Sequence, residues 1–273
     1  MHDIDIVTAF FDIGRGNVPE KVMGRPVPDF IKRSTDEYFE YFENLAKIKN
    51  NLIVYTTKDL EDRVLSIREK NGLVENTKVV SLDSYFVDNN RYLKEKVLSV
   101  MNSKDYILNV KNPELIEYWN PDYVLVNLFK SSYVVDAINK GYVKNKTVAW
   151  IDFGYCRDSN ALPNNKIWKY DFDIDKIHLF NIKDVNDGRD ISDIIYTGDV
   201  YIQGCQIVAG KEKWKWLKET MLDKFNATLD KNLSDDDQTY LLLSYLENPD
   251  NFVLRSGNVN DWFTILKNYN MEE

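Results

Sequence analysis

The stretch TVAWIDFGYC, residues 147–156, decides the fold. Val148, Ala149, Trp150 and Ile151 make an unbroken apolar run, the pattern of a strand buried on both faces. The run ends in a carboxylate, Asp152, followed by Phe153 and Gly154. Strands of this kind lie in sheets covered by helices, and such sheets hold ligands at the carboxyl ends of their strands. Asp152 stands at that end. The residues support two readings of it: a carboxylate held toward a ligand or a cation, and an acid that caps the tight turn at Gly154.

Upstream, strand and helix patterns alternate. DIDIVTAFF (3–11), NLIVYT (51–56) and TKVVSL (77–82) read as buried strands. Ser34 and Glu37 have capping-box spacing, ahead of Tyr38, Tyr41, Phe42, Leu45 and Ile48 at helical period. KDLEDRVLSIREKNG (58–72) is a helix closed by Gly72, and NRYLKEKVLSVM (90–101) is another. PDYVLVNLFKSSYVVDAINKG (121–141) reads as one long helix ending at Gly141. The alternation predicts an α/β fold with a mixed, mostly parallel central sheet flanked by helices.

Downstream the pattern is less regular. KIWKY (166–170), KIHLFNI (176–182) and DVYIQGCQIVAG (199–210) read as strands. KEKWKWLKETMLDKF (211–225) and SDDDQTYLLLSYLEN (234–248) read as helices, the second capped by Ser234 with Asp235 to Asp237 in its first turn. No repeat or Pro/Gly/Ser-rich linker interrupts the 273 residues, so they read as one domain in two halves, 1–153 and 154–273.

A net charge of −9 disfavours binding to a nucleic-acid backbone and leaves room for a local basic pocket. Aromatics at 13% supply rings for a core and for stacking on sugars or bases. Cys156 and Cys205 have neither disulfide nor zinc spacing and read as buried free thiols. The N-terminus lacks a signal-peptide pattern, and no apolar run approaches the ~20 residues of a membrane span. The expected location is cytoplasmic, with peripheral association at the inner face of the cell membrane left open.

Basic candidates for a phosphate are Arg15, between Gly14 and Gly16 after the first strand, and Lys130, which interrupts an apolar helix. Lys130 has a second reading as a lysine that snorkels to water. Asp237 and Gln238 can face a cleft while Leu241, Leu242 and Tyr245 anchor their helix, or Asp237 can simply favour the helix dipole. The glycine-rich patterns of dinucleotide folds and P-loops are missing, as is a nucleophile elbow. His2 and His178 are too isolated for a histidine metal site.

TAFFDIGRG, DEYFEYFENLAKIKNNLIVYT and VAWIDFGYCRD together resemble the HtrL/YibB-like family of bacterial proteins, associated with lipopolysaccharide, lipooligosaccharide or capsule gene sets. The order of elements is also similar to GT-A-type glycosyltransferases. YIQGCQIVAGKEKWKWL matches their later strand–helix unit, and Asp237–Gln238 match an Asp-Gln on the next helix. The resemblance implies a GT-A-like (Rossmann-like) fold, a nucleotide-diphosphate sugar as donor and a glycan as acceptor. It implies that Thr8, Ala9 and Phe10 lie against the base, and that Arg15 and Lys130 approach the phosphates. It implies that Gln203, Gly204, Asp237 and Gln238 face the sugar or acceptor, with Asp237 and Gln238 as the catalytic pair. Asp152 matches the first acid of an Asp-x-Asp motif that holds Mn²⁺ or Mg²⁺. Gly154 stands in place of the second acid, Asp158 is the alternative second ligand, and the family's C-terminal histidine is missing. A non-catalytic glycan- or partner-binding protein and a sugar nucleotidyltransferase are the alternative functions.

Overall fold

Strand β1 (Ile4–Ala9) is buried on both faces, as its continuous apolar run requires. The computed structural model describes residues 3–86, 90–257 and 262–271. After β1 come a small hairpin, β2 (Lys21–Val22) and β3 (Arg25–Pro26), then helix α1 (Thr35–Leu45). Next are β4 (Leu52–Thr57), α2 (Lys58–Lys70), β5 (Thr77–Leu82), α3 (Tyr92–Met101) and α4 (Lys104–Asn109). The chain continues through α5 (Pro121–Leu128), α6 (Lys130–Asn139), β6 (Thr147–Ile151), β7 (Ile177–Asn181) and α7 (Ile191–Thr197). It ends with β8 (Gln206–Gly210), α8 (Lys211–Leu229), α9 (Asp237–Glu247), β9 (Phe252–Ser256) and α10 (Ile265–Asn268).

Seven strands form one sheet in the order β5-β4-β1-β6-β8-β7-β9. β8 pairs antiparallel with β6 and β7, and every other pairing is parallel. The mixed, mostly parallel sheet expected from the sequence is the one observed. Both halves of the chain contribute to it, because β6 and β8 are neighbours. The core lies on both faces. One face packs α3, α5, α6, α8 and α9 through residues such as Leu93, Leu125, Tyr133, Trp214 and Leu241. The other packs α1 and α10 through Phe39, Phe42, Phe153, Trp168 and Leu266. Among the described residues no helix is long and apolar enough to cross a membrane.

The capping box at Ser34 forms as its spacing predicts: Glu37 N–H donates to Ser34 Oγ at 3.2 Å, and Glu37 Oε2 accepts from Ser34 N–H at 2.7 Å. Gly72 closes α2 at φ 67°, a left-handed conformation that suits glycine. Several expectations need correction. KIWKY is not a strand; only Lys169 makes an isolated bridge, to Asp3. Residues 199–205 stay outside β8, and an Asn181–Ile202 bridge is all they add. There the chain is held by single backbone bonds such as Gln203 N–H to Phe180 O, 2.8 Å. The expected helix over 121–141 is two, broken at Phe129 with ψ 2°. No Pro or Gly marks that break; Phe129 is buried among Tyr85 and Phe86 instead. Ser234 is not the cap of α9. Asp236 is, its side chain accepting from Gln238 N–H at 3.0 Å. β9, α4, α7 and α10 carried no recognised signal.

Candidate active site

Phe10 continues from β1, and Asp152 from β6. Phe10 N–H donates to Tyr55 O, and Asp152 N–H to Cys205 O, both at 2.9 Å. β1 also pairs in parallel with β6, so the two strand ends lie side by side at the floor of a cleft of about 420 Å³. The break before α6 places Lys130 at that helix's first position, over the same floor.

Lys130 is the hub. It is only 4% exposed, and its Nζ lies 3.1 Å from Asp152 Oδ1 and 3.0 Å from Asp237 Oδ2. It also donates to Gly204 O at 2.9 Å. The snorkelling reading therefore fails. A buried ammonium is retained because two carboxylates and a carbonyl surround it. Burial alone would lower the Lys130 pKa, but Asp152 and Asp237 outweigh it and hold it above the ordinary value. Asp152 is anchored again by Trp150 Nε1–H, which donates to Oδ1 at 2.7 Å.

Asp237 is 1% exposed and meets Lys130 as an ion pair without an aligned hydrogen bond at Oδ2. Burial pushes its carboxyl up to about 6; Lys130 opposes that rise and Asp152 adds to it. Gly204 is required here, since a Cβ on it would lie 2.5 Å from Asp237 Oδ2. Gly154 has a different task. A Cβ there would sit 3.0 Å from Tyr38 Cδ1, so the missing side chain makes room for a tyrosine ring.

Away from this hub the cleft carries both signs of charge. Arg15, Arg33 and Arg157 line it. Arg15 donates to Ile31 O at 3.0 Å, to Phe30 O at 3.3 Å and to the Tyr38 hydroxyl. Its guanidinium lies over the rings of Tyr38 and Tyr123. Arg157 lies over Tyr41 at 4.2 Å and Phe263 at 5.0 Å. Burial, then Arg157, depresses the Arg33 pKa, with Arg15 adding to the effect against Tyr38. Glu117, Asp236 and Gln238 line the same cleft, and Arg15 is near enough to oppose the rise of the Glu117 carboxyl. Burial comes first in holding the carboxyls of Glu117, Asp235 and Asp236 above the usual carboxylate range, and their mutual repulsion comes second.

Of the residues singled out in the sequence, Ala9, Phe10, Arg15, Lys130, Asp152, Asp237 and Gln238 line this cleft. Thr8 and Gln203 do not: Thr8 is enclosed within β1, and Gln203 is buried with its Oε1 accepting from Gln206 Nε2–H. Gly204 acts from behind, through its carbonyl and its missing side chain. Asp158 is exposed and caps a turn, accepting from Asn160 N–H at 2.7 Å. Cys156 and Cys205 are buried free thiols, as expected. Sequence reading missed Arg33, Arg157, Tyr38, Glu117 and Asp236. Arg157 adjoins the quoted FGYC stretch and Asp236 lies within the SDDDQ run, and those adjacencies were their signals.

Fold and site define an α/β protein with a charged cleft at the carboxyl ends of β1 and β6. Residues 2–270 match the family described as "Bacterial protein of unknown function (HtrL_YibB)", and the chain belongs to that family. It is 37% identical over 270 residues to Protein HtrL of Escherichia coli strain K12, covering 96% of this chain and 90% of that protein. Among solved structures it is similar to apo mouse Xyloside xylosyltransferase 1, with a TM-score of 0.45 and 11% identity. The match covers 93% of this chain and 85% of the mouse one.

Proposed function

We propose that this protein is a glycosyltransferase, moving a sugar from a nucleotide-diphosphate donor to a bacterial surface glycan such as lipopolysaccharide, lipooligosaccharide or capsule. The observation that carries the reading is a single cleft lined by three arginines together with carboxyls and an amide. A diphosphate suits guanidinium groups, which bind it through paired N–H donors. Sugar hydroxyls both donate and accept, which suits Glu117, Asp236 and Gln238. The rings of Phe30 and Tyr123, beside Arg15, offer faces for a base. The Lys130–Asp152–Asp237 hub lies in the same cleft, where the bond from phosphate to sugar would fall.

Thermal melting with UDP-, GDP-, CMP- and dTDP-sugars tests the donor class, followed by transfer assays with glycan fragments. A true donor at ~100 times its dissociation constant adds roughly 2.7 kcal/mol of stability. Stabilisation by one nucleotide sugar, with release of its nucleoside diphosphate, is the expected result. Turnover of a nucleoside triphosphate with a sugar phosphate would instead identify a nucleotidyltransferase. No response to any nucleotide would leave a glycan- or partner-binding protein.

A further inference from the structure

We propose that the donor's diphosphate is neutralised by Arg15, Arg33 and Arg157, and that no divalent cation binds at Asp152. The proposal rests on the nucleotide-sugar reading above and specifies how that site meets the phosphate charge.

The donor set at Asp152 does not fit a metal. Its Oδ1 already takes the Trp150 indole N–H at 2.7 Å and the Lys130 ammonium at 3.1 Å. A divalent ion there would face a fixed positive charge with little solvent between them. The position where a second acid would help is Gly154, and the Tyr38 ring fills the space its side chain would need. Asp158 spends its carboxylate on the Asn160 amide. Asp237, the nearest other carboxylate, is committed to the same ammonium at 3.0 Å. Among the described residues no group of three or more His, Cys, Asp or Glu is placed to hold a metal ion. Hard divalent cations want several oxygen ligands, and here Asp152 leaves them only Oδ2, itself 3.5 Å from the Lys130 ammonium.

The arginines show the complementary pattern. The chain has 44 acidic residues, yet among the described residues none makes an ion pair with Arg15, Arg33 or Arg157. Arg15 is held by two carbonyls and a tyrosine hydroxyl, and Arg157 by two ring faces. The Nε of Arg157 is buried with no hydrogen-bond partner. A buried donor without a partner is costly, and three guanidinium groups on one cleft repel each other. An anion carrying several charges, with oxygens for more than one N–H pair, relieves both costs at once. Arginine does not lose its proton under these conditions, so the cluster stays charged.

The test is isothermal calorimetry with UDP, GDP and dTDP, in excess EDTA and then in Mn²⁺ or Mg²⁺. One nucleoside diphosphate is expected to bind with an affinity that EDTA leaves within about twofold, a difference well under 1 kcal/mol. Arg33→Met and Arg157→Met are each expected to weaken it roughly tenfold or more, and added salt to weaken the wild type further. Their melting temperatures without ligand should equal or exceed the wild type, because removing one cation relieves repulsion; a purely structural arginine would lower them. Arg33→Lys keeps the charge without the paired donors and should fall in between. Nucleotide binding that appears only with Mn²⁺ or Mg²⁺ would overturn this proposal and leave the donor class intact. Wild-type affinity in both Arg→Met variants would overturn it as well. Failure of all three nucleotides under every condition would remove the nucleotide-sugar reading and this proposal with it.

Discussion

Lys130 shows how much one side chain can decide. It neutralises two carboxylates, one enclosed (Asp237) and one open to the cleft (Asp152). Removing it leaves Asp237 buried beside no cation, a change that typically costs about 3–5 kcal/mol. Lys130→Met should therefore unfold at markedly lower urea. Adding Asp237→Asn should recover part of that loss, because the residues form one charge network and their effects do not add. Equal or additive losses in the two variants would mean that the pair is not coupled. Gly204→Ala probes the same hub from behind. Its Cβ would press on Asp237 Oδ2 at 2.5 Å, against a rigid backbone on one side and the ion pair on the other. Overpacking of this kind costs about 1–3 kcal/mol. Nucleotide affinity should fall with it, as measured by denaturation and calorimetry on the same preparation.

At the scale of elements, the two serine caps read from the sequence have opposite outcomes. Ser34 completes its capping box, and α1 carries Tyr38 to Arg15 and Tyr41 to Arg157. Ser34→Ala should cost about 1 kcal/mol in urea unfolding. Ser234 lies upstream of the true cap, Asp236, and its buried hydroxyl faces the Tyr240 hydroxyl without an aligned hydrogen bond. Ser234→Ala should be neutral or slightly stabilising, since an unpaired polar group is removed. A loss at Ser234 equal to that at Ser34 would contradict this assignment of the caps. The strand errors share one cause. KIWKY has the composition of a strand, but composition cannot say whether a partner strand lies alongside. Here only Lys169 finds one. The single long helix was expected because its apolar period runs through Phe129, and the break comes from packing rather than from a breaker residue.

At the scale of the whole molecule, the sheet sets a pH limit through His178 on β7. It is 1% exposed. Its Nε2 meets Asp173 O at 2.9 Å, and its Nδ1 accepts from Arg255 Nε–H at 3.3 Å. That second bond requires a neutral ring. Burial comes first in lowering its pKa to about 4, and Arg255 adds to the effect. Between pH 4 and 6.5 the unfolded chain binds the proton that the folded chain refuses. The contribution of His178 is then complete above pH 6.5 and lost as pH falls toward 4. It amounts to something on the order of 3 kcal/mol. His178→Gln should be less stable than wild type at neutral pH, with the gap narrowing as pH falls through that window. Urea midpoints at a series of pH values check this, and a constant gap would show that His178 does not titrate on unfolding.

The sequence by itself determined the strands of the first half, the helix faces between them, the capping box at Ser34 and the position of Asp152 at a strand end. Each of these rests on a repeat of two or 3.6 residues, or on a short spacing, that any neighbouring stretch of chain displays. Residue chemistry singled out Arg15, Lys130, Asp237 and Gln238, all of which line the cleft, and the family resemblance added Ala9 and Phe10, which also line it, and Thr8, Gln203 and Gly204, which do not. Only the tertiary structure decided that β8 runs against its neighbours, that Lys130 is buried between Asp152 and Asp237, and that Arg15, Arg33 and Arg157 meet on one cleft. The physical reason is distance along the chain. Local periodicity specifies which face of an element is apolar, whereas strand order and crossovers determine which remote charges meet, and no local pattern records that meeting.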